Sequence, residues 1–307
     1  MMYAYILAAP QHHADFARAE FNAFTGQETS SRMGLADFAA DISHAAFIST
    51  CIRVEASGES LQAMCADARE ENLAWEGFRI QRFAPTPGFS VNTMDAIIAT
   101  ANAITGHPDL DNPTVVLGLI ATPDWWGVGP VISRYRQDWP AHEDRPNFFS
   151  GSLPTRFARG MINLVAAPGD TLIDPCCGVG VPLIEALSIG VEAVGCDLNG
   201  RIIKQAAENL EAVGMPKRVF VADARELSGH FDAAVLDLPY GRNVPVTEGL
   251  YGDLLRKIHD IADRAAIVSA EDLSATLTRE FDFQVGQHIR IPKNNMVRHL
   301  HVVVPAH

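Results

Sequence analysis

Lysine is nearly missing from this chain. None occurs before Lys204, and the first 147 residues hold nine arginines against eighteen Asp and Glu, a balance of −9. The remainder, with 15 cations against 19 acids, carries only −4 of the net −13. A phosphate-gripping surface is built from Lys and Arg. The N-terminal half therefore lacks the usual footprint of a nucleic-acid binder, and any basic patch has to be local. Long apolar runs are missing too: none reaches the roughly 18 residues of a membrane span. The opening MMYAYILAAP has no basic leader ahead of its apolar stretch. A first β-strand in a cytoplasmic protein is expected there, with no membrane partner. Cysteine is scarce and odd in number: Cys51, Cys65, Cys176, Cys177 and Cys196 form no C-x-x-C pair and no cluster with histidine. This fits a reducing compartment, with neighbours Cys176 and Cys177 as small packed side chains, because a disulfide between them would close a strained ring. The eleven histidines show no ligand spacing along the chain, so no metal is expected. With 48% hydrophobic and 20% charged residues, a folded chain of two or three domains is implied and long disorder is excluded.

The C-terminal half alternates short apolar runs with helical patterns. Strands are expected at Thr171–Ile173, Ala193–Cys196, Arg218–Val221, Ala233–Leu236 and Ala265–Ser269. Helices are expected at Val181–Ile189, Arg201–Ala212, Gly249–Arg264 and Leu273–Arg279. Such repetition predicts an α/β domain with a doubly wound, mainly parallel sheet. Two further runs, Phe283–Ile291 and Val297–Val304, flank the turn-like Pro292–Asn295 and add an antiparallel terminal hairpin. The first half reads as smaller α+β units: Tyr3–Ala9, Ala14–Phe24 and Ala45–Glu55, then Leu61–Ala68, Gly77–Phe83, Met94–Ile104, Thr114–Ile120 and Trp125–Ile132. Expected boundaries are 1–56, 57–138 and 139–307, with Pro140–Pro154 as the connector.

Two segments carry the chemistry. Asp174-Pro175-Cys176-Cys177-Gly178-Val179-Gly180 follows the first strand of the C-terminal half, and Asp237-Leu238-Pro239-Tyr240-Gly241 follows the fourth. Each puts a carboxylate at the carboxyl end of a buried strand, where doubly wound sheets bind ligands. Glycines at 178 and 180 let a ligand approach the backbone ahead of a helix N-terminus. Asp197 closes the second strand nineteen residues after Gly178, the place of an acid that takes ribose hydroxyls. Asp223 closes the third and is placed to accept from an adenine amine. The loop has no Gly-Lys-Ser/Thr, and Asp174 ahead of it would repel a pyrophosphate. The same carboxylate suits an ammonium group, and S-adenosylmethionine has both the ammonium and the ribose. In the second segment Asp237 and the Leu238 carbonyl can accept from the two protons of an exocyclic amine. Their pull turns its lone pair toward an incoming methyl group. Pro239 stiffens the turn, and Tyr240 offers a ring face for a base.

These segments resemble the THUMP-containing tRNA guanine-N2 methyltransferases, in particular their bacterial branch. The carrying residues are 174–180, the following Pro182-Leu183-Ile184-Glu185-Ala186-Leu187, Gly195-Cys196-Asp197, Asp223 and 237–241. The approach segment adds Arg145-Pro146, Phe149-Ser150, Leu153, Ala158-Arg159 and Asn163-Leu164. The resemblance covers residue 140 onward. It implies a Rossmann-like methyltransferase fold, S-adenosylmethionine as cofactor, and methylation of a guanine 2-amino group in tRNA. The N-terminal units are then ferredoxin-like (1–56) and THUMP-like (57–138), the latter on Asp95-Ala96-Ile97-Ile98 and Asp109–Val116. Cofactor contacts are expected from Ser150, Asp174, Cys176, Gly178, Gly180, Asp197, Leu198, Asp223, Ala224 and Asp237. The reaction falls to Asp237, Leu238, Pro239 and Tyr240, and RNA contacts to Arg242, Arg290, Lys293 and Arg298. Where the family has D-P-P-Y this chain has D-L-P-Y, and leucine supplies the same backbone carbonyl. Related turns also serve methylation of DNA adenine or a protein glutamine, and a non-catalytic RNA-binding scaffold on the same fold is the third alternative.

Overall fold

A computed structural model of the protein describes residues 1–10, 13–149, 151–238, 249–293 and 296–306. It divides into two compact units, Met1–Arg136 and Gln137–His307. Among the described residues no helix is long and apolar enough to cross a membrane.

The first unit runs β1 (Met2–Leu7), α1 (Ala14–Thr25), β2 (Met33–Ala36), β3 (Ile48–Val54), β4 (Ala56–Gly58), α2 (Leu61–Glu70), β5 (Phe78–Phe83), α3 (Thr93–Ala101), β6 (Val115–Ala121) and β7 (Trp126–Arg134). One mixed sheet in the order β2-β1-β3-β7-β6-β5 joins them, with β4 alongside β7. Strand β7 makes the sheet continuous. Its last residues pair with β3 (Thr50↔Arg134, Cys51↔Ser133) and its first with β6 (Ala121↔Trp126). Helix starts follow from side-chain caps: Ser60 accepts from the Ala63 amide and Asn92 from the Met94 and Asp95 amides. Inside α1 the Glu20 carboxylate is fully buried and accepts from the amides of Ala46, Phe47 and Ile48, tying the helix to the start of β3. Strands β2 and β4 were not expected; Met-Gly-Leu-Ala and Ala-Ser-Gly are too short to show a period.

The second unit runs α4 (Thr155–Val165), β8 (Thr171–Asp174), α5 (Val181–Ser188), β9 (Glu192–Asp197), α6 (Gly200–Ala212), β10 (Val219–Val221), β11 (Ala233–Asp237), α7 (Leu250–Ile261), β12 (Ala265–Ser269), α8 (Ser274–Glu280), β13 (Phe283–Lys293) and β14 (Met296–Pro305). The sheet order is β10-β9-β8-β11-β12-β14-β13. The first five strands are parallel, and β14 lies antiparallel between β12 and β13. The chain moves one way from β8 to β9 and β10, then returns to lay β11 and β12 on the other side of β8. The switch point therefore lies between β8 and β11, and both strands end there in aspartate. Leu172, Ile173, Ala233, Ala234 and Leu236 are fully buried, which is why these strands read as uninterrupted apolar runs.

Helix α4 was not anticipated from the sequence. Its inward face includes Arg159 and Asn163, at 0% and 7% exposure, beside the apolar Ala158, Met161, Ile162 and Val165. Arg159 forms ion pairs with Glu185 (2.9 Å) and Asp138 (3.1 Å) and donates to Ser188 Oγ (2.7 Å), while its Nε and one terminal nitrogen are not aligned for hydrogen bonds. His142 Nδ1 meets the other Glu185 oxygen at 2.7 Å. The connector is thus fastened to α4 and α5 by charge.

Candidate functional site

The glycine loop leaves β8 and enters α5 through two left-handed residues, Gly178 (φ 52°) and Gly180 (φ 84°). Gly180 is the residue ahead of the helix, and a side chain there would be strained. A Cβ on Gly195 of β9 would come within 2.5 Å of Leu183 Cδ1 and 2.9 Å of Cys177 Cβ, so that strand can lie against the loop only as glycine. The Cys177 amide donates to the Cys196 carbonyl (2.9 Å), and the Gly178 amide donates to Asp197 Oδ2 (3.3 Å). Asn209, fully buried in α6, holds the loop from behind. Its side-chain amide donates to the Val179 carbonyl and to the Asn147 carbonyl (2.9 Å each), and its oxygen accepts from the Asn147 amide (2.8 Å). Its one mark in the sequence is a polar side chain on the apolar face of Ile203, Ala206 and Leu210.

Asp174 is 3% exposed and accepts from the Cys176 amide at 3.2 Å. Burial, with Asp237 and Asp197 nearby, holds its carboxyl well above the usual carboxylate range. Its folded pKa lies above the unfolded value, so the stability it contributes is full below about pH 4 and is lost as pH rises through the folded pKa. The Asp174→Asn variant keeps the acceptor oxygen without that penalty. It is expected to melt at the wild-type temperature near pH 4 and several degrees higher at pH 8, in thermal scans without ligand. Coincident pH profiles for the two proteins would refute this. The same burial pushes the Cys176 and Cys177 thiols up, so neither is a thiolate nucleophile. All five cysteines are free.

Asp197, at the end of β9, also accepts from the Asn199 amide (2.9 Å), which starts α6. Leu198 beside it is 71% exposed, and Val221, level with Asp197 in β10, is 57% exposed. Leu198 and Val221 thus leave apolar surface uncovered near Asp197. Ala224 is buried at the start of a short 3-10 turn. Asp223 differs from its expected role. Its carboxylate is held by Arg225 through Nε (3.0 Å), a terminal nitrogen (2.6 Å) and the backbone amide (2.9 Å), which lowers its pKa. An adenine amine would compete with that guanidinium.

Asp237 ends β11 two residues beyond the level of Asp174, since Ala234 pairs with Ile173, and is still close enough for its charge to act on Asp174. The Leu238 side chain is buried and its amide donates to the Val268 carbonyl (2.9 Å), pinning the start of the turn to β12. Ser150, Pro239, Tyr240, Arg242 and the side chain of Lys293 lie outside the described residues, as do Asn294 and Asn295 of the expected turn. Arg290 is exposed on β13. Arg298 corrects its expectation: it is 4% exposed, donates to the Gly151 carbonyl, and sits 4.0 Å from Asp237 Oδ2. A guanidinium turned inward from β14 toward a carboxylate is no surface phosphate contact. It sets a fixed positive charge beside Asp237, which alternation along a terminal strand could not reveal. The metal expectation also needs revisiting, since pairing of β13 with β14 gathers three histidines that the linear spacing keeps apart.

Residues 143–292 match the family described as UPF0020: RMKL-like, methyltransferase domain. The tRNA (guanine(10)-N2)-dimethyltransferase of Methanothermobacter thermautotrophicus is 33% identical over 177 residues, covering 53% of this chain and 53% of that protein. The protein of the same name from Methanocaldococcus jannaschii is 26% identical over 211 residues, 63% of this chain and 59% of that one. The chain thus spans little more than half the length of the curated relatives it matches. Among solved structures, TrmN from Thermus thermophilus superposes with a TM-score of 0.51 at 18% identity, covering 99% of this chain and 100% of that one. The fold is shared with that protein, and the methyltransferase-domain model matches just under half of this chain.

Proposed function

With an RMKL-like methyltransferase domain as the starting point, we propose that this chain transfers a methyl group from S-adenosylmethionine to the exocyclic 2-amino group of a guanine in tRNA. The observation that carries the reading is the pair of aspartates on adjacent strands at the switch point, one sealed in the glycine loop and one opening onto the D-L-P-Y turn. The donor set fits the cofactor. Asp174 can neutralise an ammonium, and gains by it, because a cation relieves the penalty of burying its charge. Gly178 and Gly180 leave the loop backbone bare, Asp197 meets the ribose hydroxyls, and Leu198 with Val221 covers the adenine faces. When bound, the cofactor supplies an electrophilic methyl on a sulfonium. Asp237 and the Leu238 carbonyl hold the amine by its protons. As positive charge builds on that nitrogen, Asp237 is the group placed to take the proton. A paired guanine hides this amine, so the nucleotide has to leave its stack, and Tyr240 is assigned to hold it. Residues 1–56 and 57–138 are assigned as ferredoxin-like and THUMP-like units that present the RNA, with Arg242, Arg290 and Lys293 meeting phosphates, in the cytoplasm.

Asp197→Ala is expected to weaken S-adenosylmethionine by the 1.5–3 kcal/mol of a charge-assisted hydrogen bond, roughly ten- to 150-fold in Kd by calorimetry. An unchanged Kd would remove the ribose role. The acceptor polymer is tested by incubating the purified chain and tritium-labelled cofactor with total tRNA, duplex DNA and cell protein from a deletion strain. Label in tRNA supports the proposal. Label confined to protein, to which the acidic first half would be no obstacle, overturns it.

A further inference from the structure

Strands β13 and β14 carry three histidines on one face. His288 stands opposite His301 in the register, and His299 precedes His301 by two residues, so their side chains point the same way. The rings stack, with centroids 5.1 Å apart for His288 and His299 and 4.8 Å apart for His288 and His301. Asp272, from the loop between β12 and α8, closes the group. Its Oδ2 is 3.6 Å from His288 Nδ1 and its Oδ1 is 3.3 Å from His301 Nε2. That His301 nitrogen already accepts from the Leu273 amide (3.1 Å), so the neutral ring has no proton there for the carboxylate. One ligand atom each from Asp272, His288 and His299 lies within 4.8 Å of the other two.

We propose that Asp272, His288 and His299 bind a divalent transition ion of the zinc class, with His301 packed beneath and solvent in the remaining position. Two imidazoles and a carboxylate are the borderline donors that such ions take, and calcium or magnesium would want more oxygen. Two nitrogens bound tetrahedrally at about 2.0–2.1 Å stand roughly 3.3 Å apart. His288 Nε2 and His299 Nδ1 are 2.8 Å apart, so the pair needs to open by only about half an ångström to admit the ion. The Ser274 hydroxyl (2.6 Å) and amide (2.9 Å) both donate to Asp272 Oδ1, fixing the carboxylate as outer hydrogen bonds do at metal sites and leaving Oδ2 for the ion. Asp272 and His288 are exposed, so an ion has an open path. The site lies on β14, two strands from β11, or about 10 Å across the sheet from Asp237. At that distance the ion does not touch the reacting atoms. It would clamp the terminal hairpin, and with it Arg298, to the rim of the catalytic sheet.

The test is zinc chloride titrated calorimetrically into metal-stripped full-length protein, with cobalt(II) visible absorption as a report of donor set and geometry. One saturable equivalent is expected, with a rise in Tm on adding zinc. His288→Ala, His299→Ala and Asp272→Asn should each weaken binding by more than about tenfold. His107→Ala, an exposed histidine of the first unit, should leave it unchanged. Where an alanine variant does not fold in the absence of zinc, His288→Asn and His299→Asn replace it. Absence of a saturable equivalent in the wild type, or undiminished binding when both histidines are replaced, overturns the proposal in favour of a histidine stack that only packs the hairpin.

Discussion

Replacing Asp237 with alanine is expected to reduce methyl transfer by about 10³-fold or more while leaving the Kd for S-adenosylmethionine within about threefold. The separation follows from position. In the proposed assignment cofactor affinity is spread over Asp174, the glycine loop, Asp197, Leu198 and Val221, whereas Asp237 faces the acceptor. A guanine 2-amino group is a poor nucleophile because its lone pair is delocalised into the ring. It reacts only when its protons are held and its lone pair is aimed, so losing the holder removes an interaction realised in the transition state. Asp237→Asn should fall between, since it retains an acceptor oxygen but not the charge beside Arg298. Single-turnover rates with bound cofactor and calorimetry on each variant check this. An alanine variant that transfers methyl groups at more than a tenth of the wild-type rate would remove Asp237 from the chemistry.

The second large effect concerns stability. Glu185 and Arg159 are both fully buried, and Glu185 bridges Arg159 Nε (2.9 Å) and His142 Nδ1 (2.7 Å). Glu185→Ala leaves a buried guanidinium with one of its anions gone, a loss of about 3–5 kcal/mol. For a unit of 171 residues, Gln137–His307, that lowers Tm by roughly 6–20 °C. Removing both charges with Glu185→Leu and Arg159→Leu should recover part of the loss, because each charge was expensive to bury and apolar packing replaces it. Denaturant and thermal unfolding read the difference. A single variant that loses less than about 1 kcal/mol would mean that water reaches the pair and its burial is not what matters. The consequence for the site is indirect: this network seats the connector whose Gly151 carbonyl receives Arg298, so partial loss should loosen the surroundings of Asp237 before it unfolds the sheet.

The catalytic half was legible where physics leaves a local trace. Leu172-Ile173 and Ala233–Leu236 are buried on both faces and so are apolar without interruption, and an aspartate ends each run because the rim it reaches is polar. Helix α4 does carry an apolar stripe, Ala158, Met161, Ile162 and Val165, but it stands apart from the strand–helix alternation, and the inward turn of Arg159 and Asn163 beside that stripe is seen only in the structure. The Arg298–Asp237 approach and the Asp272–histidine group depend on the register of β13 against β14 and of β14 against β12. A linear pattern does not contain that register, so an arginine that reads as surface charge proves buried, and histidines without ligand spacing meet. Asp223 shows the opposite limit. It follows the end of β10, yet Arg225, two residues on, occupies the carboxylate. In the first unit the acidic composition was plain, but the continuity of one sheet through β7 rests on a strand that pairs differently at its two ends.

Nucleoside mass spectrometry of tRNA from cells with and without the gene tests the central claim most directly. N2-methylguanosine or N2,N2-dimethylguanosine should be present at a defined position in the parent, absent from the deletion, restored by the wild-type chain and not restored by Asp237→Ala. A tRNA modification profile identical in parent and deletion would contradict the assignment of this site to guanine in tRNA.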